Sequence, residues 1–464
     1  MNMRLLNIVQ FNKVSLYKNT TWFVIGIFYV LLIAQSISAE MWVLLGALLV
    51  PLLIYISIKK PFIFPFGLYV FLLPFDAILS VTGSTTGATL TKYLGVLTIL
   101  VLTLKGIFEG KLKRPETPAI WWVLFVGYAA LSILWSIEPK LVLSRLPTIL
   151  GLLLVYLVVA LYEFDKKEYE TIKWIIFISG ITAALLTIYT YLQGSYYEKS
   201  SGSAAMRASV MIFGRGTNPN NIAFNFLFPI SIGFSFMLKQ NKKLVKGIFL
   251  IILGLIIFAL LTTGSRSGML AVGTVIMVYM LSIKRKVTFG TAITGILIIA
   301  ISIAQNFVYG RWTNAVDTGG AGRLNIWYVG WRALEKYWVS GAGLANFGNA
   351  YTEFANYSPQ FEGLNRAAHN MLLNYFVELG IIGISLFFIA IWKHYQSIKL
   401  RSETHNQEAI MLKATFWGML VSSQFMAINL TNKFFWLLWM MILMHKNSVN
   451  MDAKEVFGEY VEIK

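Results

Sequence analysis

The sequence predicts an all-α integral membrane protein that crosses the bilayer many times, and three observations carry that reading. Apolar residues make up 57% of the 464-residue chain and charged residues only 13%, against roughly a quarter charged in a soluble domain. Apolar runs long enough to cross the hydrocarbon core, roughly 17–25 residues each, recur along the whole chain. The basic residues collect in every second segment between those runs.

Taken in order, the runs fall at 21–39, 41–58, 62–80, 88–108, 119–136, 145–162, 172–192, 220–238, 246–263, 267–283, 287–307, 370–392, 410–428 and 431–446. The count is about fourteen spans, within a range of 12–14. Pro65 and Pro74 interrupt the third run, and the last run is short. Met1–Thr20 is polar and basic, and no small-residue cleavage site follows the first apolar run. That run therefore reads as a span rather than a signal peptide.

Orientation follows from Lys and Arg, which favour cytoplasmic loops. With the N-terminus inside, the inner segments hold Lys59 and Lys60, then Lys111, Lys113 and Arg114, then Lys166 and Lys167. Further along they hold Lys242 and Lys243, then Lys284, Arg285 and Lys286, then Lys393, Lys399 and Arg401. Both termini are expected in the cytoplasm. One long outward loop, 308–369, is largely exempt from the rule by its length. The net charge of +18 is thus spread over separate segments, so it is topological and does not form the single basic stripe of a nucleic-acid binder. The 14 Trp, 22 Tyr and 33 Phe suit aromatic belts at the two interfaces.

Absences narrow the chemistry. With no Cys, disulfides, zinc-thiolate sites and thiol nucleophiles are excluded. No His-Glu-x-x-His, P-loop or Gly-x-Ser-x-Gly motif occurs, so metal hydrolysis, ATP-driven transport and α/β-hydrolase chemistry lack support. Gly341, Gly343 and Gly348 lack the spacing and the preceding strand of a dinucleotide fingerprint. They read as a chain turn. In the long loop, Leu324, Trp327, Tyr328, Trp331, Leu334 and Trp338 recur at spacings of three or four, one face of a helix. Such a helix either lies along the outer membrane surface or packs on the bundle.

The outer-side cations run against the orientation rule, so each needs a reason. Arg215 sits between glycines in Gly214-Arg215-Gly216, just before the helix start Asn218-Pro219-Asn220. A helix N-terminus beside a guanidinium suits phosphate; the alternative is an interfacial loop turn. Arg266, in Thr263-Gly264-Ser265-Arg266-Ser267-Gly268, is flanked so closely by apolar runs that it sits at the membrane edge, a costly place for a cation. The alternative is snorkelling to headgroups. Arg323 opens the loop helix, where a cation opposes the macrodipole, which points to an anion nearby, on a substrate or on a lipid. His369 sits where the loop re-enters the membrane, while His394, His405 and His445 fall on the inner side. It is the one outer side chain that titrates near neutrality, and its alternative role is structural. Guanidiniums hold diphosphate and an imidazole can deprotonate a hydroxyl. The set fits glycosyl transfer from a lipid diphosphate. Asp76 reads as a helix-end residue, Asp317, Glu353 and Glu362 as candidate helpers of His369, and Tyr196, Tyr197 and Tyr357 as interface anchors.

Three stretches together resemble the O-antigen ligase and O-antigen polymerase superfamily of bacterial polysaccharide-assembling membrane glycosyltransferases. These are Thr263-Gly264-Ser265-Arg266-Ser267-Gly268, Gly322-Arg323-Leu324-Asn325-Ile326-Trp327, and His369 through Gly380. The resemblance spans about 210–395. It divides the chain into N-terminal helices 1–209, a catalytic region 210–395 and C-terminal helices with a tail, 396–464. It implies a GT-C-like bundle in the bacterial cytoplasmic membrane and a metal-independent, inverting reaction without cofactor. The implied donor is a glycan on undecaprenyl diphosphate. The acceptor is a glycan or lipid, and membrane lipids and other polysaccharide-assembly proteins are further partners. His369 would be the base, Arg266 and Arg215 would bind the donor diphosphate, and Arg323 would bind phosphate or glycan. Family ligases have fewer spans than counted here, which leans toward a polymerase. The competing class is a flippase for lipid-linked glycan, or another polysaccharide transporter. It would carry charges at mid-span and discontinuous helices near the midplane, whereas the charges here gather at span ends.

Overall fold

From residue 42 onward a helix stands at each apolar run singled out above. The computed structural model describes residues 42–79, 89–197, 207–212, 215–283, 286–303, 322–399, 407–426 and 430–457. The expected first span, Asp317 and the opening of the long loop lie outside the described residues.

The chain divides into two compact units, Met1–Phe64 and Pro65–Lys464. In the first, α1 (Trp42–Lys59) runs through Pro51. The second holds α2 (Phe66–Leu72), α3 (Leu90–Phe108), α4 (Thr117–Leu131), α5 (Pro139–Leu161) and α6 (Lys166–Leu192). A two-residue hairpin, β1 (Met211–Ile212) and β2 (Arg215–Gly216), follows. Then come α7 (Pro219–Asn225), α8 (Leu227–Lys239), α9 (Lys243–Thr262), α10 (Arg266–Ser282) and α11 (Lys286–Ile303). The long loop supplies α12 (Arg323–Tyr337) and α13 (Phe347–Phe354). The chain closes with α14 (Met371–Lys399), α15 (Gln407–Ser423) and α16 (Lys433–Phe457). Among the described residues, seven helices are long and apolar enough to cross a membrane; the chain is a multi-pass membrane protein.

Local chemistry sets the breaks. Asp165 and Glu168 close a reciprocal capping box on α6, satisfying two orphan amides. Pro229 has no N–H to offer the Asn225 carbonyl, so the span around 219–239 is two helices joined at Phe226. Pro229 also packs directly on Gly180 of α6, where a Cβ would not fit. The short last run becomes the buried centre of the bundle. Trp436 and Trp439 of α16 are 0% and 2% exposed. Their rings lie 5.1 and 5.7 Å from that of Trp122 on α4.

The sharpest break lies inside α14. Gly380 has φ 63° and ψ −167°, a region essentially restricted to glycine. The carbonyls of Val377 and Glu378 would ordinarily accept from amides four residues on. They accept instead from Ala342 N–H (2.9 Å) and Gly343 N–H (2.8 Å), while Ile381 N–H donates to Trp338 O (2.7 Å). The segment after α12 is thus stitched into a gap in a membrane helix. An added Cβ at Gly341 would meet the Glu378 carbonyl, at Gly343 the Cβ and Cα of Ser136, and at Gly380 the Val339 carbonyl. The glycines expected only to turn the chain are there because backbone meets backbone. A discontinuous helix is what the transporter reading calls for, but here loop amides occupy the freed carbonyls.

Candidate functional site

Two knots of chain carry the four sequence-derived residues. The first is built around the turn between α9 and α10. Ser265 caps α10 by accepting from Gly268 N–H (3.3 Å), which fixes Arg266 as the first helical residue. Gly268 leaves no room for a Cβ against Ala223 of α7, so α7 lies directly on the start of α10. Arg207 locks the layer above, donating from Nε to Thr263 O (2.9 Å) and from Nη2 to the Asn220 side chain (2.7 Å). Ala208 N–H donates to Thr262 O and Thr217 N–H to Val210 O, and Ile212 pairs with Arg215 across the hairpin. Arg215, Arg266 and Arg207 are thereby gathered on one small knot. Sequence reasoning does not single out Arg207; its signal was an outer-side cation beside the hairpin.

The second knot joins the first turn of α12 to the end of the long loop. Gly322, at φ 74°, sits so close to the Glu362 carboxylate that no Cβ would fit. Asn325 donates to Glu362 Oε1 (2.8 Å) and Trp327 Nε1–H to Ala368 O (2.8 Å). Arg323 opens the helix held by these bonds, and His369 follows Ala368. His369 is half-buried, with φ 49°. A left-handed backbone at a non-glycine residue is a strain that persists where surrounding structure imposes it. Of the candidate helpers, Glu362 belongs to this knot. Glu353 does not: it binds Lys336 Nζ (2.6 Å) and the Tyr337 hydroxyl (2.5 Å). Those hydrogen bonds, from Lys336 first and Tyr337 second, hold its carboxyl below the usual range.

Helix α15 relates the two knots. It packs along α10, with Gly418 against Val275 and Ala271. At its start Glu408 pairs with Lys173 (2.7 Å) and with Lys239 at the end of α8. Tyr279, near the end of α10, donates to Ser231 O on α8 (2.6 Å) and lies within electrostatic reach of Glu408. The two helices are therefore antiparallel, and the end of α15 lies at the start of α10. Just past that end, the Phe425 ring is 6.2 Å from Trp327. Both knots thus share one end of the bundle. At the opposite end His394 bonds Tyr156 (3.0 Å), and His445 stacks near Tyr169. Asp76 pairs with Lys433 (2.6 Å), a structural ion pair as expected for a helix-end residue.

On α12 the outcome is split. The side packed on the bundle holds Ile326, Val329, Gly330, Ala333 and Leu334, the last of them from the expected apolar face. Leu324, Trp331 and Trp338, from the expected apolar face, are 61%, 61% and 55% exposed. The helix packs on the bundle, the second of the two expectations, and turns Leu324, Trp331 and Trp338 away from it. Among the described residues, no group of three His, Asp or Glu could hold a metal ion.

None of the four residues lines the largest described cavity, about 240 Å³, which lies between Arg145, Arg366, Asn374 and Glu378. A second cavity, about 220 Å³, is lined by Asp76, Thr217, Asn221 and Lys433; Thr431 borders both. Glu378 had a signal in the sequence, as an acid within an apolar run. Comparison with known proteins finds the O-antigen ligase family matching residues 248–388. That stretch contains Arg266, Arg323 and His369, and Arg215 precedes it. No curated protein matches the chain. The matched region places this chain's resemblance within the O-antigen ligase and polymerase superfamily.

Proposed function

We propose that this membrane protein, with its O-antigen ligase region at 248–388, is a glycosyltransferase. It transfers or polymerises a glycan carried on undecaprenyl diphosphate at the outer face of the bacterial cytoplasmic membrane. His369 takes the proton from an acceptor hydroxyl. The freed oxygen attacks the anomeric carbon on the face opposite the diphosphate. The bond from that carbon to the diphosphate breaks, and the configuration inverts. The leaving diphosphate gathers negative charge, which Arg266 and Arg215 neutralise without a metal; guanidinium is suited to this because it stays charged and binds two oxygens at once. Arg323 binds phosphate or glycan beside the base, with Glu362 orienting the first turn of its helix.

The observation supporting this reading is that the arginine knot and the histidine knot lie at one end of the bundle, linked by Phe425 and Trp327. The test mixes the purified full-length protein with lipid-linked repeat units. Lengthened glycan, or transfer to an added acceptor, is the expected product. His369→Ala should lower the rate by roughly 10²–10⁴, the usual contribution of a general base, while the protein still inserts. Arg266→Ala should lower it by roughly 10²–10³, as for a lost charge-stabilising donor. Exchange of the lipid between leaflets with no new glycosidic bond would replace this reading with the flippase.

A further inference from the structure

The cavity at Arg145 and Arg366 has no part in the mechanism above, yet it is built as a binding site. One wall is α5, whose exposed Arg145 points into it; the other is the loop segment that carries exposed Arg366. Among the described residues neither guanidinium makes a hydrogen bond. Arg366 has a long ion contact, 3.9 Å to Glu362, and lies within electrostatic reach of Tyr351, while Arg145 lies within electrostatic reach of Glu378. Glu378 is 5% exposed. It is anchored by Phe347 N–H (3.3 Å), so it closes the cavity without neutralising either arginine by direct contact. Asn365 adds an amide that suits hydroxyl groups, while the Asn374 side chain hydrogen-bonds Glu378.

Backbone strain marks the same place. Among the described residues the non-glycine positions with positive φ are Ala345 (63°), Asn365 (53°) and His369 (49°). The first two line the cavity, and the third is the proposed base. Alanine gains nothing local from a left-handed backbone, so Ala345 is held there by its surroundings, as happens at ligand clamps. Thr431 lines both this cavity and a neighbouring one that reaches Thr217, two residues beyond Arg215.

We propose that this cavity binds a carboxylated sugar, a uronate-type residue of the glycan, between Arg145 and Arg366. The inference rests on the glycosyltransferase reading and extends it to the class of sugar handled. The volume, about 240 Å³, admits one sugar ring at a time. Two guanidiniums lining one cavity suit a carboxylate, which they can bind through charge-assisted hydrogen bonds.

The test measures binding rather than turnover, so its failure is distinct from a failure of the transferase reading. Full-length protein in phosphatidylcholine nanodiscs is titrated with a glucuronate-containing tetrasaccharide and with its carboxyl-reduced counterpart. The acidic form should bind about tenfold more tightly, the equivalent of one charge-assisted hydrogen bond. The preference should vanish in the double variant Arg145→Gln, Arg366→Gln and persist in Arg266→Ala. Each single variant should lower it by about threefold, half of that on a logarithmic scale, which keeps the test decisive if the double variant does not fold. Equal binding of the two tetrasaccharides overturns the proposal. So does a preference that survives removal of both arginines, or one that disappears with Arg266 alone.

Discussion

Replacing Gly380 by alanine should detach the outer loop from α14. At φ 63° and ψ −167° a residue with a Cβ is strained by about 1–3 kcal/mol. The new Cβ would also press on the Val339 carbonyl. Relief by local opening breaks three bonds, those of Ala342 to Val377, Gly343 to Glu378 and Ile381 to Trp338. At about 0.5–1.5 kcal/mol net for each bond, opening costs about 1.5–4.5 kcal/mol, while keeping the bonds retains the strain and the clash, so either route is a large effect for one substitution. Hydrogen exchange reads it directly. The amides of Ala342, Gly343 and Ile381 should exchange at least a hundredfold faster, about 2.8 kcal/mol, and transferase activity should fall with them. The matched control is Gly127→Ala on α4, where a Cβ meets nothing within 4 Å. Inside a helix that change should be neutral or stabilise by about 0.5–1 kcal/mol. If Gly380→Ala kept those amides as slow as Gly127→Ala does, the account of the broken helix would fall.

Lys173 is fully buried and paired with Glu408; Lys173→Met should destabilise the protein by about 3 kcal/mol in detergent melts, because buried Glu408 would lose its buried cation while keeping half-exposed Lys239 and the Tyr169 hydroxyl. The contact between α12 and α13 through Lys336, Tyr337 and Glu353 should be insensitive to pH between 5 and 8. The folded-state pKa of Glu353 is depressed, so its contribution is complete above the unfolded value of about 4.3 and is lost as pH falls through the lower folded value. Hydrogen exchange of α13 should therefore quicken only in acid, and Glu353→Gln should remove that acid step. If the aromatic face of α12 rests in the headgroup region, brominated phospholipids should quench the protein's fluorescence less after Trp331→Phe and Trp338→Phe. Unchanged quenching would mean that this face meets water or another protein.

The helices were legible because each apolar run is long and the basic residues punctuate them, two signals that need no tertiary information. The gathering of Arg215, Arg266, Arg323 and His369 at one end was legible for the same reason, since helix topology alone assigns ends. The break at Gly380 was not. Val377-Glu378-Leu379-Gly380-Ile381 is compatible with a continuous span, and only the arrival of Trp338 to Gly343 in space supplies the amides that make a gap tolerable. Helix α12 was found by its period, but the residues that marked it divide: Leu334 is buried beside Ile326, Val329, Gly330 and Ala333, while Leu324, Trp331 and Trp338 stay outside. The cavity at Arg145 escaped notice because its walls come from residues more than two hundred positions apart, which no local pattern connects.

The stitched segment has a second set of anchors. Leu344 N–H donates to the Ser132 hydroxyl (3.0 Å), Ile137 N–H to Ala342 O (3.0 Å) and Glu138 N–H to the Asn346 side chain (2.9 Å). All three acquire their partner from the corner between α4 and α5, far upstream of residues 248–388. Swapping only the family-matched stretch between relatives would therefore leave polar groups stranded in a poorly solvated place. A workable chimera has to carry the 132–138 corner along with its own inserted segment, so that the two are inherited as a pair.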